Sequence, residues 1–260
     1  MQKQLIAYKP TTPSRRHLLH AYQETSRKST SPLKISLKKT FNQAGRNNCG
    51  IITCFTKSWR HKRRYRAMPL LQNCTCGFIE QIEYDPFRSV FLARLINFDT
   101  MSRYYILASN YIKQGDVLKS RFAYGQPCRL IDMPVGSLAF NFANKYCKAA
   151  GTFGVLLQKT NIYALVRFRS GLKRMFHAQT HAIIGVSSNA LNKIRCLAKA
   201  GRSRWVGKKP SIRGVATNPI DHPHGGKTVG GKIPVSPWAK PTKGYKTKTK
   251  NFTVMKKYVH

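Results

Sequence analysis

Reactive chemistry in this chain has one concentrated candidate, the segment Asp221-His222-Pro223-His224. An imidazole can act as general base or metal ligand, and a neighbouring carboxylate can orient it. Nucleophilic catalysis would also need a serine or cysteine beside the pair, and none lies nearby in sequence. No third metal ligand is evident, and no paired carboxylates of the kind that hold metal ions in nucleases occur. Cys74 and Cys76 are separated by one residue and lack a spaced second pair, unlike the two-to-four-residue spacing of zinc sites. The seven cysteines are odd in number and no secretory leader precedes them, so reduced thiols serving as small apolar fillers are expected. The expectation is a protein that is not an enzyme and needs no cofactor.

The segment around the histidines then calls for another explanation. Arg213 to Gly226 reads RGVATNPIDHPHGG, with almost no periodic apolar pattern. Its backbone polar groups need partners that a helix or sheet does not supply. Asn218 and Asp221 are expected to cap proline-made turns. Gly225 and Gly226 should allow close backbone approach to phosphate or base, and His222 and His224 should donate hydrogen bonds.

Charge identifies the class of partner. Lys and Arg total 47 against 8 Asp and Glu in 260 residues, a formal net charge of +39. Such a surplus strains an isolated fold and favours a polyanion. No run of eighteen apolar residues and no long amphipathic basic helix argue for a membrane, so nucleic acid is the expected partner. No helix-turn-helix, zinc-finger or basic-zipper pattern is present. Small strand-built units with arms suit RNA, read by shape and 2′-hydroxyl contacts.

Four segments are expected to position these groups. Residues 1–60 form a basic N-terminal extension broken by Pro10, Pro13 and Pro32, an arm that orders on binding; Arg15 and Arg16 lie in it, as do Arg46 and Asn47 of a glycine-rich turn. The densest basic cluster follows at its end, Trp59, Arg60, His61, Lys62, Arg63, Arg64, Tyr65 and Arg66, where guanidiniums could grip phosphates and aromatic rings could stack on bases. Residues 61–130 read as strands with tight turns, a small closed barrel holding five of the eight acids. There Phe78, Ile82 and Tyr84 alternate against polar residues. Residues 131–200 read as a second small barrel, with Tyr163 and Leu165 on one face of a strand and Ala164 and Val166 on the other. Its basic tips are Arg167, Arg169, Lys173 and Arg174. Ala190 to Gly201 is the one expected helix, ending at Gly201.

Residues 201–260 lose periodicity and carry no acid after Asp221. Lys199 and Arg202 lead into this C-terminal extension, and Arg204, Trp205, Lys208, Lys209, Arg213, Lys227 and Lys243 add to the contact set. Pro234, Pro237 and Pro241 stiffen the chain around Trp238, as expected of a tail threaded into folded RNA.

Long, ordered motifs carry a resemblance. They are KPTTPSRRH (Lys9 to His17), GRNNCGIIT (Gly45 to Thr53), HKRRYR (His61 to Arg66), IEYDPFRS (Ile82 to Ser89), RYYILA, IDMPVGS, AAGT, RFRSG, KAGRSRWVGKKPSIRGVATNPIDHPHGG and KIPVSPWAKPTKGYKT. With these, residues 9 to 250 resemble the universal large-subunit ribosomal protein L2 family, bacterial and organellar branch. The resemblance implies a mainly β fold, an OB-like barrel followed by an SH3-like barrel, with extensions penetrating large-subunit rRNA. It also implies primary rRNA binding, neighbouring large-subunit proteins, a role at the interface with the small subunit, and a C-terminal loop near the peptidyl transferase region. Any structural Mg2+ or K+ would be held mainly by the rRNA. Direct chemistry by the loop histidines is not implied, because rRNA carries peptide transfer.

Three segments depart from the family pattern. Its glycine-rich GGGHK is here KSWRHK, Lys57 to Lys62; the stretch before AAGT is short; and the glycines after His224 are trimmed to GGKTVGG. Frequent Phe, Tyr, Ile, Lys and Asn with scattered Cys suit an organelle-encoded protein. A mitochondrial matrix ribosome ranks first, a plastid second and a bacterial cytoplasm third.

Overall fold

The computed structural model describes residues 5–21, 31–70, 77–98, 100–118, 122–228 and 233–244. Cys74, Cys76, Asp99, most of the basic stretch at residues 25–34, and all lysines after Lys243 lie outside them. The chain divides into two compact units. One comprises residues 1–41 and 61–202, the other residues 42–60 and 203–260.

The larger unit is built from antiparallel strands. Near the N-terminus β1 (Leu5–Ala7) pairs with β2 (Leu19–Ala21), and the helical turn α1 (Pro13–Arg16) lies between them. Pro13 therefore opens a helix instead of breaking one, because the first helical position has no intrahelical use for an N–H. A short ribbon follows, β3 (Leu37–Lys38) against β4 (Tyr65–Arg66).

The first main sheet uses β5 (Gly77–Glu83), β6 (Leu92–Asn97), β7 (Arg103–Leu107) and β8 (Val117–Leu118), in the order β7-β6-β5-β8. Its core gathers Ile79, Leu92, Leu95, Tyr105 and Leu107. The inward face of β5 is Gly77, Ile79, Gln81 and Glu83, whereas Phe78 and Ile82 are half-buried and Tyr84 is exposed. The loose apolar alternation of Phe78, Ile82 and Tyr84 therefore does not mark the most buried face, although Ile82 still packs against the core. Arg94 makes the polar face tolerable, donating to Gln81 Oε1 at 3.0 Å and to Glu83 Oε1 at 3.1 Å while its Nε lies 2.8 Å from Glu80. Buried polar groups satisfied in this way cost far less than unpaired ones.

The second sheet comprises β9 (Pro127–Arg129), β10 (Leu138–Phe140), β11 (Gly154–Lys159), β12 (Tyr163–Phe168), β13 (Lys173–His177) and β14 (His181–Ile184), ordered β13-β12-β11-β10-β14-β9. Ala164 and Val166 of β12 are buried, as the alternation requires, and Phe142, Leu156, Leu130 and Met133 fill the same core. Phe140 and Ile183 belong instead to the first core, so the two sheets share apolar packing. Burial pushes the Cys128 thiol up to about 12 and the Cys147 thiol up to about 11, consistent with a packing role for both.

The helix expected over residues 190–201 does not form as one element. Ala190–Lys193 is a 3-10 turn, Ala198 has φ of 59°, and α2 spans Ala200–Trp205. Cys196 exchanges both backbone hydrogen bonds with Leu19, at 3.1 and 3.3 Å, which removes them from any helical ladder. Among its described residues the smaller unit is irregular apart from α2's end, isolated bridges and the 3-10 turn Gly214–Ala216. No helix among the described residues is long and apolar enough to cross a membrane.

Candidate nucleic-acid interface

The basic run at residues 61–66 leads into β4, and its side chains divide between solvent and the protein. His61, Lys62 and Arg64 are exposed, whereas Arg63, Tyr65 and Arg66 are half-buried. The Arg63 guanidinium sits 3.9 Å over the Phe87 ring and donates to the Pro86 carbonyl at 2.9 Å. Arg66 lies 3.8 Å from Glu83, with its side chain 11% exposed. Arg88, paired with buried Asp85, donates to the Tyr65 hydroxyl at 3.0 Å and to the Arg66 carbonyl at 3.1 Å. Three of the six residues thus anchor the run to the first sheet, and three, Lys62 and Arg64 with their charges among them, face solvent.

The second sheet offers a comparable edge. Arg167 of β12 stands directly opposite Lys173 of β13, and both are exposed. Like charges at paired positions repel, so this edge is suited to an anion lying across it. Arg169 is exposed and donates to the Gly151 carbonyl at 3.4 Å. Arg174 instead packs 4.2 Å over the Tyr146 ring and belongs with the aromatic core. On α1, Arg15 and Arg16 are exposed, with Arg15 6.0 Å over Tyr8. Lys199 is exposed, and Arg202 is half-buried, tied to the carbonyls of Leu197 and Ser14 at 2.8 and 3.4 Å.

In the smaller unit, Asn47 builds a turn. Its Oδ1 accepts from the N–H groups of Cys49 and Ile51 at 3.0 and 2.9 Å, and Arg46 closes the same turn onto the Gly50 carbonyl at 3.0 Å. Residues 56–58 are held to residues 207–209 by the Lys57–Lys208 bridge and by the Ser58 N–H to the Gly207 carbonyl at 3.0 Å. In the same unit Trp59, Trp205 and Trp238 are 70%, 68% and 71% exposed. Arg204, Lys208, Lys209, Arg213, Lys227 and Lys243 are exposed, and Arg60 is half-buried against Gly207. Among the described residues of this unit only two are buried, Gly207 and Gly225, and neither has a side chain.

The loop holding the histidines is organised from within. The Asp221 N–H donates to the Asn218 carbonyl at 3.0 Å, and the Gly226 N–H to the Thr217 carbonyl at 3.2 Å. A Cβ on Gly225 would meet that same Asn218 carbonyl oxygen at 2.1 Å, and one on Gly214 would meet the His222 ring at 2.4 Å. Gly225 therefore serves the loop's own closure and is not open to a ligand, contrary to expectation. Gly226 is exposed with φ of 66°, a left-handed conformation that glycine adopts readily.

His222 Nδ1 accepts the His224 N–H at 3.0 Å, and His224 Nε2 bonds the Ile233 carbonyl at 3.0 Å. Each imidazole spends one nitrogen on the loop, so the pair acts first as internal bracing. The Asn218 side chain is exposed and makes no cap, and Asp221 is exposed as well. Among the described residues no three His, Cys, Asp or Glu side chains gather as a metal site would require.

Sequence reasoning overlooked Phe41, which is 91% exposed beside the basic run, and the Tyr111–Tyr124 pair, with rings 4.7 Å apart and half-exposed. Phe41 lies between Thr40 and Asn42 in a polar stretch, a position where a large aromatic has no core to enter.

Two family models cover most of the chain. Residues 34–120 match "Ribosomal Proteins L2, RNA binding N-terminal domain", and residues 124–239 match "Ribosomal Proteins L2, C-terminal domain". A large ribosomal subunit protein uL2 from Alcanivorax borkumensis is 38% identical over 96% of this chain and 96% of its own. Another from Cupriavidus necator is 37% identical over 96% of this chain and 95% of its own. Two sheets in the expected order, both domain models and relatives matched nearly end to end place this chain in the ribosomal protein L2 family.

Proposed function

We propose that the chain is a structural constituent of the large ribosomal subunit that binds its rRNA and performs no chemistry of its own. The observation that carries this reading is the smaller unit: residues 42–60 and 203–260 bury no side chain among those described, yet hold three exposed tryptophans and many cations. A unit without an apolar core cannot offset the entropy of ordering itself, so it is suited to folding against a partner. Aromatic faces and cations together fit RNA.

On this reading residues 61–130 and 131–200 are the two barrels, and residues 1–60 and 201–260 are extensions laid into rRNA. Residues 213–226 sit near the peptidyl transferase region as a shape-fitting contact. Other large-subunit proteins are neighbours, and the protein supports association with the small subunit. Mg2+ or K+ at the contact belongs to the RNA. Composition supports a mitochondrial ribosome, while the bacterial relatives make a bacterial cytoplasm the alternative.

The test is competition at one fixed salt concentration between large-subunit rRNA and duplex DNA of equal length, since lysine-rich chains bind any polyanion at low salt. Preference for the rRNA is expected. Equal affinity for both would sink the proposal.

A further inference from the structure

Beside the β3–β4 ribbon the two chain segments part and leave a cleft of about 640 Å³, walled by residues 37–41 and 61–64. The Thr40 hydroxyl donates to the Arg63 carbonyl at 3.2 Å and fixes the separation of the walls. None of the lining residues is acidic. Lys38, Lys39, Lys62 and Arg64 are exposed around it, and Phe41, one of the lining residues, has 91% of its surface in solvent.

A phenyl ring left almost bare forgoes the stabilisation that burial would give it. Next to four cations, the ligand that would cover it is planar, uncharged on its face and linked to anions. An unpaired nucleotide has that combination, because its base offers a π face and its flanking phosphates offer charge. A paired duplex does not, since its bases are stacked on one another and only its phosphates are presented.

We propose that this cleft is a binding subsite for a single unpaired nucleotide of RNA, with the base stacked on Phe41 and the flanking phosphates held by Lys39, Lys62 and Arg64. The proposal rests on the RNA-binding reading above and adds to it a discrimination between paired and extruded bases. Arg63 takes no part in holding phosphate; it keeps the wall in place through Phe87 and the Pro86 carbonyl.

The full-length chain is titrated, at one physiological salt concentration, with two RNA hairpins that differ only by one bulged 2-aminopurine nucleotide. Stacking on an aromatic ring contributes enough to favour the bulged hairpin about tenfold and to quench the 2-aminopurine. Phe41→Ala is expected to remove most of that preference and the quenching while leaving affinity for the paired hairpin unchanged; Phe41→Trp should restore both. Because Phe41 is almost fully exposed, the Ala variant is expected to fold, which its circular dichroism spectrum checks. A wild-type chain that binds both hairpins equally overturns this inference alone. So does a Phe41→Ala variant that keeps the full preference, or a polyglutamate peptide that displaces the bulged hairpin in a Phe41-dependent way. Failure to bind either hairpin overturns the RNA-binding reading as well.

Discussion

Replacing Glu83 by Gln tests how a chain of such positive charge keeps a stable core. The Glu83 carboxylate is 5% exposed and lies among three partners, accepting from the Tyr105 hydroxyl at 2.8 Å and Arg94 Nη1 at 3.1 Å, with Arg66 Nε at 3.8 Å. Gln preserves shape and an acceptor for Tyr105, but it leaves Arg66 and part of the Arg94 charge uncompensated in a buried place. Breaking such a pair costs about 3–5 kcal/mol, and the remaining Arg94 contacts to Glu80 and Gln81 favour the low end, about 3. At about 2–4 °C per kcal/mol for a domain of this size, the midpoint should fall by about 6–12 °C.

Glu80→Gln is the internal comparison. Its side chain is 27% exposed and pairs with Arg103, itself 55% exposed, and with Arg94 Nε at 2.8 Å; because Glu83 still neutralises Arg94 in this variant, the loss should stay at about 1 kcal/mol. Thermal unfolding of the full chain, followed by near-ultraviolet circular dichroism, reads the loss of aromatic packing, that of buried Tyr105 included. Equal shifts for the two variants, or a larger one for Glu80→Gln, would refute the claim that burial sets the value of this charge.

Gly225→Ala places a Cβ against the Asn218 carbonyl, so rRNA affinity should fall about tenfold while the unfolding midpoint stays at the wild-type value. Lys62→Ala should lower the slope of log affinity against log salt by about 0.7–0.9, whereas Arg63→Ala should leave the slope and lower the midpoint instead. Burial first, then the Arg129 charge, hold the His181 imidazole below its ordinary value of 6.5, despite an opposing pull from Asp132. The unfolded chain therefore takes up the proton first. The His181 contribution is fully present above pH 6.5 and is lost as pH falls toward the folded value. His181→Gln should flatten stability across that acidic window in urea titrations; an unchanged pH profile would count against it.

The strands of both sheets could be read from alternation because Ala164, Val166 and Leu92 are apolar where the chain faces a core. The face of β5 could not, because its inward residues Gln81 and Glu83 look solvated until Arg94 is brought beside them by the neighbouring strand. Long-range pairing also undid the expected helix, since nothing near Cys196 announces that Leu19 claims its backbone. In the basic run, composition alone counted Arg63 and Arg66 as outward charges. Their partners lie far off in the sequence, Phe87 for Arg63 and Glu83 for Arg66, and draw these two arginines inward. The histidine loop was legible as irregular and glycine-dependent, but the geometry assigns Gly225 to its own turn.

Co-sedimentation with the large ribosomal particle through a high-salt cushion tests the central claim most directly. A constituent whose smaller unit is folded against rRNA should stay with the particle at salt that strips loosely held basic proteins. Release of the chain into the supernatant under those conditions, with the particle otherwise intact, would contradict it.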